Sequence, residues 1–136
     1  IIKASLNFDV IYHDWWCYQI IAGCGGYIFC DPEPCLKYRQ HDSNLVGSNN
    51  GWRAHLIRIR KLFQGHLRES NDINIKSLSE NKHLLTKSNQ KVLDDFIKAR
   101  QSTFFKRLYF FKRSGIYRQT LFDNFGLFLG IMLNKL

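Results

Sequence analysis

Two short segments carry side chains suited to chemistry. One is His13-Asp14-Trp15-Trp16; the other is Tyr38-Arg39-Gln40-His41, followed by Asn44 and Gly47. A carboxylate at a helix start accepts hydrogen bonds from free backbone N–H groups and is favoured by the positive end of the helix dipole. A carboxylate that faces a cleft can instead take a proton from a reacting hydroxyl. A guanidinium such as that of Arg39 matches phosphate oxygens bidentately. Trp15 and Trp16 can present an aromatic face to a bound molecule.

These side chains need elements to hold them. Trp16, Ile20 and Cys24, with Cys17 and Ile21 beside them, fall on one helical face. That spacing predicts a helix capped by Asp14 and running from Trp15 to about Cys24. Gly25-Gly26 is a suitable C-terminal stop. Tyr27 to Cys30 reads as a short apolar strand, Asp31-Pro32-Glu33-Pro34 as a turn, and Cys35 to Gln40 as a second strand. The four cysteines, at 17, 24, 30 and 35, form no C-x-x-C pair and have apolar flanks. They are expected to be reduced, small buried hydrophobes rather than zinc ligands.

Charge divides the chain. Residues 1–50 hold three basic and five acidic side chains, a net of −2; residues 51–136 hold 17 basic and six acidic, a net of +11. The break falls at Gly47-Ser48-Asn49-Asn50-Gly51, a turn-rich stretch. Two units are therefore expected, 1–50 and a basic helical extension 51–136. In the second, Leu56, Ile59, Phe63 and Leu67 recur at helical spacing from Trp52 onward, and Val92, Phe96 and Ala99 mark another helix. Phe104, Phe105, Leu108 and Tyr109 mark a third helix, and Ile116 to Leu133 a fourth. Residues 69–90 are polar and poorly patterned, so either a helix or a loop is expected there.

The stretch from about Ala4 to Gly47 resembles the C-terminal part of the catalytic domain of family-two glycosyltransferases of the GT-A type. It is most similar to bacterial rhamnosyltransferase-like enzymes of surface polysaccharide synthesis. Their helix opens with (H/E)-D-W-W; a strand, a D-x-x-P turn and Y-R-x-H with a following N and G come next. Here these are His13-Asp14-Trp15-Trp16, Asp31-Pro32-Glu33-Pro34 and Tyr38-Arg39-Gln40-His41 with Asn44 and Gly47. Ser114-Gly115-Ile116-Tyr117-Arg118-Gln119-Thr120 resembles their C-terminal extension more weakly.

The resemblance implies an α/β fragment, short strands and a helix followed by a mainly α-helical extension. It also implies an inverting transferase that moves a sugar, with rhamnose first in order, from a nucleotide-sugar to a hydroxyl of a lipid-linked or polysaccharide acceptor. Asp14 would be the catalytic base; Trp15, Trp16, Arg39, Gln40 and His41 would bind substrate, with His41 also a candidate metal ligand. A divalent cation, Mg or Mn, is implied in the complete enzyme. The D-x-D that binds it in this family is missing from the sequence, and so are the nucleotide-binding strands. The chain starts at Ile1 rather than Met and reads as a piece of a longer protein, expected to be inactive alone.

Composition narrows the alternatives. A chain of 136 residues with 15% aromatic residues can bury a core and is unlike a disordered segment. No apolar run long enough for a transmembrane helix occurs. Residues 104–120 carry five basic side chains and no acid among Phe104, Phe105, Tyr109, Phe110, Phe111 and Tyr117. Leu121 to Leu133 follows with Asp123 as its one charge. Such a segment suits the surface of an anionic membrane, and the expected location is cytoplasmic, peripheral at the inner face of the cell membrane. A net charge of +9 also fits a nucleic-acid-binding module. No RNP, KH or zinc-finger pattern supports that alternative, and no nucleic-acid partner is expected.

Overall fold

The computed structural model describes residues 10–29, 31, 33, 66–118 and 120–136. In chain order the described elements are α1 (His13–Gly23), α2 (His66–Glu80), a single 3₁₀ turn (Lys82–Leu84), α3 (Lys87–Gln101), α4 (Phe104–Ser114) and α5 (Leu121–Met132). No strand occurs among the described residues, which corrects the expected α/β fold class. Tyr27 to Phe29, expected as a strand, is irregular and exposed, with Tyr27 at 87%. An extended segment needs a neighbour for its ladder of N–H and C=O groups, and no described residue supplies one. The second expected strand, Cys35 to Gln40, lies outside the described residues. So do the expected 47–51 boundary, the expected helix from Trp52 and Cys35; Cys30 is likewise outside them.

The stop of α1 follows the sequence. Gly26 N donates to Ile21 O at 2.8 Å and Gly25 N to Ala22 O at 3.0 Å, the paired bonds of a Schellman ending. Gly25 sits at φ +79, where a side chain is strained, and a Cβ on Gly26 would stand 2.9 Å from Ile21 O. Past that turn, Asp31 Oδ1 accepts from Glu33 N at 2.9 Å, as expected of Asp-Pro-Glu.

Two apolar clusters hold the helices. In the first, Trp16 and Ile20 of α1 meet Leu85 and Leu93, with Ile75, Leu78 and Ile97 packed around them. Trp16 is 1% exposed, so α1 shares a core with residues 75–97 of the basic part of the chain. In the second cluster, Ala99 of α3 meets Ile131 of α5 and Leu136, with Leu108, Phe110 and Phe111 from α4. Cys24 packs against the first cluster, whereas Cys17 is exposed; both are free thiols.

Polar bonds fix the join. Thr86 N donates to Gly23 O at 2.9 Å, and the Asn89 amide donates to Ala22 O (3.1 Å) and Gly23 O (3.0 Å). The open carbonyls at the end of α1 are thus satisfied from the start of α3. Asn89→Ala is expected to lower stability by about 1 kcal/mol, since it removes two half-buried hydrogen bonds while Ala22 O keeps Gly25 N and Gly23 O keeps Thr86 N as donors. Urea unfolding would check this, and a midpoint equal to wild type would remove the clamp.

Candidate functional site

In the first turn of α1, His13, Asp14 and Trp15 are exposed while Trp16 is buried. The N-cap position of α1 is Tyr12, which makes no side-chain cap bond, so Asp14 lies inside the first turn rather than at the cap. There it still complements the dipole. Asp14 is exposed and has no hydrogen-bond or ion-pair partner among the described residues. Trp15 packs edge-on against Tyr12 with ring centroids 5.5 Å apart and keeps 38% of its surface exposed. Trp16, one residue on, points the opposite way into the core. The tryptophan pair therefore divides its work, and Trp15 is the member with a face available to a ligand.

Beside α1 lies a cleft of about 650 Å³. Trp15, Tyr18 and Gln19 line one wall, Asn71 and Asn74 of α2 line another, and Tyr117 and Arg118 of the α4–α5 linker close a third side. Leu85 and Leu93 belong to its apolar floor. Asp14 is not a lining residue. It stands one residue before Trp15 and one helical turn from Tyr18, both of which line the cleft.

The linker that faces α1 is built locally. Gly115 takes φ +69 and ends α4; Thr120 caps α5 by accepting from Asp123 N at 3.1 Å. Between them Asn124 folds back: its Oδ1 accepts from Arg118 N at 2.7 Å, and its amide donates to Arg118 O (2.6 Å) and Thr120 O (2.8 Å). The backbone of Arg118 is pinned, while its exposed guanidinium has no partner among the described residues. In the cleft, Gln19 Oε1 is a buried acceptor with no hydrogen-bond partner among the described residues. Aromatic faces, amides and one unpaired guanidinium around an apolar floor suit a hydroxylated ligand that carries apolar faces and an anionic group.

Of the residues singled out from sequence, Trp15 lines this cleft; Asp14, next to it in sequence, is not a lining residue, and Trp16 is buried in the first core cluster. Arg39, Gln40 and His41 lie outside the described residues. Gln19, Asn71 and Asn74 were not anticipated. For Asn71 and Asn74 the signal is the polar character of α2, which marks a wall that is not wholly core; Gln19 is a single polar residue on the apolar α1.

A divalent cation does not fit the described residues. No three His, Cys, Asp or Glu side chains gather among them. The adjacent acids Asp94 and Asp95 are already engaged, Asp94 by Lys82 Nζ at 2.5 Å and Asp95 by the Arg113 guanidinium.

No family model and no solved structure matches the chain. Over 51 residues it is 33% identical to the dTDP-rhamnosyl transferase RfbG of Shigella flexneri. That stretch covers 38% of this chain and 18% of that protein. The chain is thus similar to a glycosyltransferase over part of its length, and it spans well under two thirds of that relative.

Proposed function

We propose that this chain forms the acceptor side of a glycosyltransferase, one that moves a sugar, rhamnose by the similarity, from a nucleoside diphosphate carrier to an acceptor hydroxyl. One observation carries the reading. Two of the segments that resemble such enzymes, His13 to Trp16 and, more weakly, Ser114 to Thr120, are about a hundred residues apart in sequence yet line one cleft, through Trp15 on one side and Tyr117 and Arg118 on the other. Two segments related to the same chemistry that meet in space are what a shared site requires.

In the proposed reaction the acceptor lies in the cleft, with a sugar face against Trp15. Asp14 takes the hydroxyl proton as the oxygen bonds to the anomeric carbon. The bond from that carbon to the diphosphate breaks, configuration inverts, and nucleoside diphosphate leaves with the electron pair. The transition state resembles the oxocarbenium ion of glycoside hydrolysis. Arg118 pairs with an anionic group of the acceptor, and the donor is bound by parts of the complete protein beyond the described residues.

Trp15→Ala and Arg118→Ala in the complete protein are each expected to raise KM for the acceptor roughly tenfold, the loss of about 1.4 kcal/mol of binding. KM for the nucleotide-sugar should hold. Initial rates against both substrates would check this; unchanged acceptor KM in both variants would move the acceptor out of the cleft.

A nucleic-acid module is the weaker reading, because several arginines are already committed. Arg100 bonds Asp72 Oδ1 at 2.7 Å and Leu136 O at 2.7 Å, Arg107 reaches the carbonyls of Ile131 and Met132, and Arg113 pairs with Asp95. Guanidinium groups held by their own chain are poorly placed for phosphates.

A further inference from the structure

The outer face of α5 has no polar side chain. Leu121, Phe122, Phe125, Phe128 and Leu133 are all exposed, Leu121 at 91% and Phe125 at 65%. The polar residues of the helix are turned to other work: Asp123 bonds the Thr120 hydroxyl at 2.8 Å, and Asn124 clamps the linker. The opposite face, with Leu127, Gly130 and Ile131, packs on the second core cluster. An exposed apolar face this continuous marks an interaction surface.

Its neighbour narrows the partner. The outward side of α4 presents Phe105 (84% exposed), Tyr109, Lys106 and Lys112. Residues 104–118 contain no acid. Arg107 is held by the Ile131 and Met132 carbonyls, Arg113 by Asp95, and Arg118 lines the cleft, so the cations of this stretch left for an outside partner are Lys106 and Lys112. Two copies meeting face to face across a twofold axis would bring like charges together. An anionic surface would instead be attracted by them.

We propose that the outer faces of α4 and α5 dock this protein onto an anionic lipid bilayer, with α5 lying flat and its phenylalanines entering the headgroup boundary. At 12 residues, α5 is about 18 Å long, too short to cross a bilayer. Among the described residues no helix is long and apolar enough to do so. An interfacial helix needs one apolar face and flanking cations, and both are present. This inference does not depend on the sugar-transfer reading, and its test involves no sugar.

The test is co-sedimentation of the 136-residue chain with phosphatidylcholine vesicles, with and without phosphatidylserine. Binding to the anionic vesicles should be at least tenfold stronger and should weaken with salt. Lys106→Ala with Lys112→Ala should reduce it roughly 30-fold, at about fivefold for each lysine. Phe125→Ser with Phe128→Ser should reduce binding to both vesicle types by more than tenfold. All four side chains are wholly or largely outside the core, so circular dichroism should be unchanged; the lysine pair keeps the test open if the phenylalanine pair unfolds. Equal binding to neutral and anionic vesicles would overturn the proposal. So would absence of vesicle binding together with concentration-dependent dimerisation, which would assign the face to a second copy.

Discussion

Asp14→Asn in the complete protein is expected to cut sugar transfer by about 10²–10⁴, the usual contribution of a positioned base. Thermal stability should barely change. Asp14 is exposed and has no partner among the described residues, so its folded-state role is limited to its charge at the dipole end, worth roughly 0.3–1 kcal/mol. The asparagine keeps the shape, but it cannot take the hydroxyl proton. The loss should fall on kcat, with KM for acceptor and donor nearly unchanged. Release of nucleoside diphosphate under saturating substrates measures this. A variant within a few-fold of wild type, folded and with normal KM, would place the base elsewhere. The comparison with Trp15→Ala is informative, since that change should act on acceptor KM. Two neighbouring residues with separable kinetic effects would distinguish a catalytic turn from a merely exposed one.

The part of this site visible from sequence is the part set by local rules. Trp16 and Ile20 are on the buried face that their spacing predicts, and the glycine pair ends α1 as expected. The helix start was displaced because Asp14 looked like a cap, while the backbone begins its helical turn from Tyr12. On α3 the spacing predicts a face of Val92, Phe96 and Ala99 with Leu93 and Ile97 beside them; Leu93 and Ala99 are buried and Ile97 packs on the first cluster, while the buried Asp95 is not anticipated. Val92 and Phe96 line the cleft, so one apolar face serves both the core and the cleft wall.

The less readable regions fail for identifiable reasons. Residues 69–90 showed no apolar pattern because the buried side of α2 and the turn after it carries Asn74, Ser77 and Asn81. The Asn81 amide is satisfied there by Ser77 O at 2.8 Å. A buried face built from amides and hydroxyls has the right period in the wrong alphabet. The fourth helix was expected from Ile116, yet α5 starts at Leu121. Ile116 and Tyr117 suggest a helix start, but Arg118, Gln119 and Thr120 break the apolar run, and the left-handed Gly115 and the Asn124 clamp make the linker that lines the cleft. The strand at Tyr27 was inferred from composition, and composition does not supply a pairing partner.

Arg113→Met is expected to invert the pH dependence of stability. In the wild type the Arg113 guanidinium donates to both carboxylate oxygens of Asp95, at 2.8 Å from Nε to Oδ2. Asp95 is 1% exposed. That hydrogen bonding holds the Asp95 carboxyl below its ordinary 3.8, against the upward push of burial, with the charges of Arg113, Lys98 and Lys91 adding to it. A carboxylate with a depressed folded-state pKa contributes stability that is complete above the unfolded value and lost as pH falls through the folded one. Wild-type stability should therefore drop from about pH 4 downward. Without Arg113 the buried carboxylate keeps the burial and loses its hydrogen-bonding partner, so its pKa rises above 3.8 despite the two lysines. The variant should then become more stable as pH falls from 7 towards 4, opposite to the wild-type trend. At neutral pH its Tm should be lower by about 10 °C, the scale of a broken buried pair. Adding Asp95→Asn should recover part of that and flatten the profile, since no buried charge remains. Thermal unfolding followed by circular dichroism between pH 3.5 and 7 tests the scheme, and parallel wild-type and variant profiles would refute it. The consequence reaches the site. Arg113 also lies over the Tyr109 and Phe110 rings, 5.6 and 5.0 Å from their centroids, and precedes Gly115 by two residues. The pair that ties α3 to α4 thus fixes where the chain leaves α4, and with it the position of Tyr117 and Arg118 across the cleft from Trp15.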